Sequence, residues 1–308
     1  MPSEFAVPAV NIGADREVGH FRSAAAFERF LAVYRAGMAQ LPPFTSHDVA
    51  TTFGTVRAYR FGGPDRTPVL LLPGRNASAP MYAANLSPLL AHRTVYAVDL
   101  LGEAGLSVQR RRLTGAEDHA QWLDEAVSGL GLDRVHLLGV SIGGWTATNT
   151  AVHRPGRIAS ATLLDAVLTF DRLPIRTIVA SAAMVLPRMP EALRRRALRW
   201  ISGGADLEES EPVASLIAAG ARDFVLRTPM PRQISDDQLR GLAVPVLAFI
   251  AGRSVMLDAR RAAANARKLL PLGQIELWPQ ASHAVNGEYP DEIAARAALF
   301  WNEADARR

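Results

Sequence analysis

The chain of 308 residues contains no cysteine. That single absence excludes disulfides, thiolate nucleophiles and Cys-ligated metals together, and it is compatible with a cytoplasmic location. Lysine is almost absent too, Lys268 being the only one, so arginine carries the positive charge. The net charge is only +4, which does not point to a polyanionic partner. The runs Arg110-Arg111-Arg112 and Arg194-Arg195-Arg196 lack interleaved aromatics and read as solvated faces rather than a nucleic-acid surface. No stretch approaches the ~18 consecutive apolar residues that a membrane span needs; the longest candidate, 178–186, is far too short. The opening MPSEFAVPAV has neither a basic start nor a continuous apolar run, so no secretory signal is expected. No His/Asp/Glu grouping has metal spacing, and neither a G-x-G-x-x-G nor a P-loop occurs, so neither metal nor cofactor is expected. Nothing in the pattern speaks to oligomeric state.

What the chain does have is apolar content of 49%, ample for a buried core, arranged in two rhythms. Residues 1–20 show no strong periodicity and read as an extended lead-in. Phe27, Phe30, Leu31, Tyr34 and Met38 recur at helical spacing, giving an amphipathic helix over 21–40. Segments 47–53 and 55–61 alternate around Gly54 and read as an antiparallel hairpin. Strands are then expected at 68–72, 94–98, 135–138 and 159–164, with helices at 80–90, 117–129 and after residue 141. Strands alternating with helices imply a parallel sheet covered on both faces. From 168 to 242 the rhythm stops, and helices are expected at 175–186, 191–201 and 211–226. It resumes with strands at 244–251 and 274–278 and helices at 258–270 and 290–302. The expected organisation is an N-terminal helix on the core (1–46), an α/β core (47–167 and 243–308) and an inserted helical block (168–242), which is too long for a plain loop.

The centre of this pattern is Arg134–Val152, RVHLLGVSIGGWTATNTAV. An apolar strand runs into Gly139-Val140-Ser141-Ile142-Gly143 and then into a helix stopped near Pro155-Gly156. Strand, G-x-S-x-G, helix is the pattern of a nucleophile elbow, in which a serine sits at the apex of a strained turn. Both glycines are required because side chains there would collide. Ser141 is the candidate nucleophile. A serine hydroxyl is weak near neutral pH and needs an adjacent base.

These pieces, in this order, resemble the α/β-hydrolase family over nearly the whole chain, from about Asp48 to Trp301. The resemblance rests on Pro73-Gly74 after the third strand, the Asp99–Ser107 run, the Ser141 elbow, the helical insert and His283 after the last strand. It is most similar to single-domain bacterial esterases with a helical cap. The resemblance implies that the loop Pro279–Val285 brings His283 over Ser141 as the base. His92, His119, His136 and His153 fall within helices or strands and read as ordinary polar or core residues. His20 and His47 lie outside the catalytic order.

The acid partner is open between two positions. The family usually supplies it in the loop after strand 244–251, but there the chain reads Gly252-Arg253-Ser254-Val255-Met256-Leu257-Asp258, with a serine about where the carboxylate belongs. One candidate is Asp165, which directly ends an apolar strand, a position that some family members use. The other is Asp258, four residues past Ser254, which also suits a helix N-terminus. Oxyanion donors are expected from the backbone N–H of Ile142 and, by the family's geometry, of Arg75. Asp99 reads as a turn-forming residue. The reaction this implies is hydrolysis of a small or medium, largely apolar ester through a Ser141 acyl-enzyme. C–C bond, lactone or thioester hydrolysis and cofactor-free perhydrolysis use the same parts. A ligand-binding protein that kept the fold and lost turnover is the alternative of a different class.

Overall fold

A computed structural model describes residues 5–13, 17–184, 189–201 and 211–307. In chain order it runs β1 (His20–Phe21), α1 (Ala24–Met38), β2 (Phe44–Thr51), β3 (Gly54–Phe61), β4 (Val69–Leu72), α2 (Ala83–Leu90), β5 (Val95–Val98), β6 (Val108–Gln109) and α3 (Ala116–Gly129). Then come β7 (Val135–Val140), α4 (Ile142–His153), β8 (Ile158–Leu164), α5 (Ile175–Met184), α6 (Glu191–Ile201), α7 (Glu211–Asp223) and β9 (Phe224–Val225). The chain closes with α8 (Asp236–Arg240), β10 (Val246–Ala251), α9 (Ala259–Leu269), β11 (Gly273–Trp278), α10 (Val285–Glu288) and α11 (Pro290–Ala306).

The main sheet has the order β11-β10-β8-β7-β4-β5-β3-β2, with β6 pairing on β3. From β11 to β5 the strands are parallel, and β3 and β2 complete the sheet antiparallel. The hairpin register sets Thr51 opposite Gly54, as the alternation around Gly54 predicts. Side chains alternate across the central strands. Leu70 and Leu72 of β4 join one apolar core with Trp122 of α3, Trp145 of α4 and Ala262 of α9. Val69 and Leu71 join the other, with Phe30 of α1, Leu86 of α2 and Trp301 of α11. This two-faced burial is why the strands read as continuous apolar runs.

Helix α4 is buried over residues 142–151 although it carries three threonines. Each hydroxyl donates to the carbonyl four residues back: Thr146 to Ile142, Thr148 to Gly144 and Thr150 to Thr146, at 2.8–2.9 Å. None of the three hydroxyls is left orphaned, so threonines can sit in the core.

Two expectations change in detail. The expected helix at 80–90 opens as a 3-10 turn at Ala79–Tyr82 before α2 begins. The lead-in, where described, is pinned rather than merely extended. Asn11 donates from Nδ2 to the carbonyls of Gly19 and Gln109, and β1 pairs antiparallel with β9 at the end of α7. Periodicity could not show this, because the partners lie some 200 residues apart. The end of the expected helix 175–186, part of the break at 187–190 and the break at 202–204 lie outside the described residues. No helix of the described residues is long and apolar enough to cross a membrane.

Candidate active site

The candidate residues all lie at the C-terminal edge of the parallel strands, where α/β sheets place their sites. Ser141 follows β7, Asp165 follows β8, Pro73–Asn76 follows β4 and His283 follows β11. β7 is flanked by β4 and β8, so Ser141 has the Pro73–Asn76 loop on one side and Asp165 on the other.

Ser141 sits at φ 55°, ψ −116°, a conformation L-residues rarely adopt. Two glycines make it possible. A Cβ on Gly139 would stand 2.3 Å from the Gly143 carbonyl oxygen, and one on Gly143 would stand 2.0 Å from that of Leu72. The turn can be this tight only without those methyls. Three of the four described non-glycine residues at positive φ belong to this edge: Asn76 at 57°, Ser141 at 55° and Asp165 at 45°. Such strain costs on the order of 1–3 kcal/mol per residue and concentrates at functional sites.

A hydrogen-bonded chain links three side chains from separate loops. His283 Nε2 lies 3.1 Å from Ser141 Oγ, and His283 Nδ1 lies 2.5 Å from Asp165 Oδ2. Asp165 is fully buried, and both its oxygens are engaged. Oδ1 accepts the backbone N–H of Ala251 at 3.1 Å, and Oδ2 also accepts the Ser254 hydroxyl at 2.6 Å. A carboxylate held this way stays satisfied away from water. The His283 loop is fastened in turn, with Ser282 N–H donating to Glu288 at 2.8 Å and Arg253 N–H to the Ala281 carbonyl at 2.9 Å.

Asp258 is not brought to His283. It caps α9, accepting the Arg261 N–H at 3.1 Å, and it is half-exposed beside the Arg261 guanidinium. Of the two candidate acids, the structure sets Asp165 against the imidazole. The role of Ser254 was not legible beforehand: the missing carboxylate at that position was visible, but not that its replacement would reach Asp165.

The N–H groups of Arg75 and Ile142 bond to no described residue; Ile142 directly follows Ser141, and a Cβ on Gly74, next to Arg75, would meet the Ser141 side chain at 3.7 Å. The Arg75 side chain turns aside to pair with Glu103 at 3.5 Å. Asp99, expected in a turn, is an anchor. Fully buried, it accepts Ala79 N–H, Leu106 N–H and the Tyr34 hydroxyl at 2.7–2.9 Å, tying two loops and α1 together. Burial raises its pKa above the ordinary carboxylate value. Among the described residues no group of three or more His, Cys, Asp and Glu could hold a metal ion.

Residues 69–296 match the family described as Alpha/beta hydrolase family. The chain belongs to that family. Among curated relatives, the "Uncharacterized carboxylesterase nap" of Bacillus subtilis is 25% identical over 89% of this chain and 92% of its own length. Carboxylesterase YbfK of the same organism is 25% identical over 82% of this chain and 86% of its own. Of solved structures, the naproxen esterase of Bacillus subtilis superposes with a TM-score of 0.83 at 23% identity, over 90% of this chain and 99% of that one. The hydrolase fold thus extends over nearly the whole chain.

Beside the Ser141 edge lies a cavity of about 20 Å³, a little more than one water fills. It is lined by Ile142, Trp145 and Thr146 of α4, by Arg75 and Leu100, and by Thr228 and Pro231 of the segment after β9.

Proposed function

We propose that this protein is a serine carboxylesterase acting on small or medium esters. The observation that carries the proposal is the chain Ser141–His283–Asp165, with links of 3.1 and 2.5 Å. Asp165 as acceptor keeps the proton on His283 Nδ1, which leaves Nε2 free to take the Ser141 hydroxyl proton. Ser141 Oγ then attacks the ester carbonyl, and the imidazolium so formed faces the Asp165 charge. The developing oxyanion is received by the N–H groups of Ile142 and Arg75, whose lack of any other described partner suits them to it. His283 Nε2 next delivers its proton to the leaving alkoxide, and the acyl-enzyme forms. A water deprotonated by the same nitrogen hydrolyses it. The similarity to two carboxylesterases over most of the chain supports the ester as substrate. Residues 168–242 serve as a cap over the site in this reading, since Thr228 and Pro231 of that segment line the cavity beside Ile142. The protein acts in the cytoplasm and without a cofactor.

The test is hydrolysis of p-nitrophenyl esters from acetate to octanoate, with fluorophosphonate labelling, for wild type, Ser141→Ala, Asp165→Asn and Asp258→Asn. Turnover in wild type, its loss in Ser141→Ala and a large drop in Asp165→Asn but not Asp258→Asn are expected. A wild type that neither hydrolyses any ester nor takes up the probe would overturn the proposal in favour of a binding role.

A further inference from the structure

Two residues that line the cavity beside Ile142 carry buried polar atoms with no partner among the described residues. Trp122, 1% exposed, lines it, and its indole N–H has no hydrogen-bond partner among the described residues. Thr228 lines it too, and its buried hydroxyl oxygen likewise has no partner among the described residues. His119 lines it as well, its ring edge-on to Trp145 at 5.4 Å between centroids. Burial, with the Arg75 charge nearby, pushes His119 down to about 4, so near neutral pH its imidazole is uncharged and offers one donor and one acceptor. Buried polar groups are nearly always paired. Two orphans and a neutral imidazole around one small cavity therefore mark a place where something else supplies the partner.

The position of the cavity decides which part of a substrate reaches it. In the proposed mechanism the leaving alkoxide takes its proton from His283 Nε2, so the alcohol part lies toward the His283 loop. No residue of that loop lines the cavity, whereas Arg75 and Ile142, the proposed oxyanion donors, do. The cavity is therefore on the acyl side. Its charge balance narrows the chemistry. Glu103, buried and held by Arg75 at 3.5 Å and by the Asn76 N–H at 3.3 Å, would repel an anionic substituent. Arg75 would repel a cationic one. A neutral oxygen fits, accepting from the Trp122 N–H while meeting the Thr228 hydroxyl.

Resting on the esterase reading, we infer that this cavity is an acyl subsite selecting esters whose acyl chain carries a neutral oxygen function, an ether, ketone or hydroxyl, near its end. A plain alkyl chain in the cavity would leave the indole N–H and the threonine hydroxyl unpaired. That penalty discriminates by roughly tenfold or more.

The experiment compares kcat/KM for p-nitrophenyl hexanoate with the 3-ethoxypropanoate and 4-methoxybutanoate esters, which move one oxygen along a chain of equal length. In wild type the better ether ester is expected to exceed hexanoate by roughly tenfold. In Trp122→Phe and Thr228→Val that ratio falls toward one, chiefly through loss on the ether ester, with thermal melts confirming that each variant is folded. A wild-type ratio near one for both ethers, or a preference that survives both substitutions, overturns the subsite while leaving the esterase standing. Failure of all three esters overturns the subsite where wild type still hydrolyses shorter esters or takes up the fluorophosphonate, and removes the esterase reading as well where it does neither.

Discussion

Ser254 donates its hydroxyl proton to Asp165 Oδ2 at 2.6 Å, the same oxygen that faces His283 Nδ1 at 2.5 Å. The serine is itself aimed, because its Oγ accepts the Met256 N–H at 3.1 Å, leaving its proton for the carboxylate. The loop with a serine at the expected acid position thus contributes a donor to an acid placed at the end of the neighbouring strand β8. Ser254 is a positioning residue in this arrangement.

Removing that donor should cost activity without abolishing it. A hydrogen bond to a charged group contributes about 1.5–3 kcal/mol, so Ser254→Ala is expected to lower kcat by roughly ten- to a hundredfold with little change in KM. Asp165→Asn should cost on the order of 10³–10⁴ in kcat. The informative variant is the double substitution Asp165→Asn with Ser254→Asp. Position 254 reaches the oxygen that faces His283, so a carboxylate there should restore at least about tenfold of the lost kcat. Recovery no better than the single Asp165→Asn would show that position 254 cannot orient the imidazole.

Asp258 makes the complementary case. Its side chain accepts the Arg261 N–H as the cap of α9, and its removal should read out in stability alone. Asp258→Ala is expected to lower unfolding free energy by about 1 kcal/mol, the usual value of an N-cap, with kcat within about twofold of wild type. Chemical denaturation and ester turnover measured on one preparation separate the two effects. A large fall in kcat would return Asp258 to the site.

The contrast between these two aspartates shows what local pattern can carry. The elbow was legible because strand, glycine, serine, glycine and helix are contiguous, although only Gly139 answers to a steric demand within four residues; Gly143 answers to the Leu72 carbonyl on the neighbouring strand. His283 and Asp165 were legible as strand-end residues of a parallel sheet. The choice between Asp165 and Asp258 was not, because it depends on how β8, β10 and β11 stack side by side and on a hydroxyl 89 residues from its acceptor. The same holds for the pairing of His20–Phe21 with Phe224–Val225 and for the unpaired Trp122 indole. Each is a relation between distant segments that no window of sequence contains.

A second serine–histidine–aspartate grouping lies near the start of β7, five residues before Ser141 in sequence. His136 Nδ1 is 2.8 Å from Ser160 Oγ and His136 Nε2 is 3.4 Å from Asp305. His136 and Ser160 are fully buried, so no substrate reaches them. Its consequence is pH-dependent stability. Burial, with the Arg93 charge, pushes His136 from 6.5 down to about 3. Between those values the unfolded chain binds a proton that the folded one does not, so stability falls as pH drops below about 6.5, by up to ~1.4 kcal/mol per unit. Urea midpoints at pH 7, 6 and 5 should decline, and His136→Gln should decline less steeply whatever its stability at pH 7. An unchanged slope in the variant would assign the acid lability elsewhere.

Strain at the nucleophile gives a prediction that separates folding from chemistry. Ser141 is held at φ 55°, ψ −116°, where any Cβ is unwelcome, and both Ser141→Ala and Ser141→Gly remove the hydroxyl. Both should be inactive, but only the glycine relieves the backbone. Relief of about 1–3 kcal/mol, offset by ~0.5–1 kcal/mol of extra flexibility in the unfolded chain, leaves Ser141→Gly more stable than Ser141→Ala by about 1 kcal/mol. In a chain of this size that corresponds to a Tm higher by roughly 2 °C. A glycine variant that melts at or below the alanine variant would mean that the surrounding turn, with Gly139 and Gly143 packed against the Gly143 and Leu72 carbonyls, already holds position 141 without strain. Such a result would place the stability cost of the site in the close approach of its backbones rather than in the serine itself.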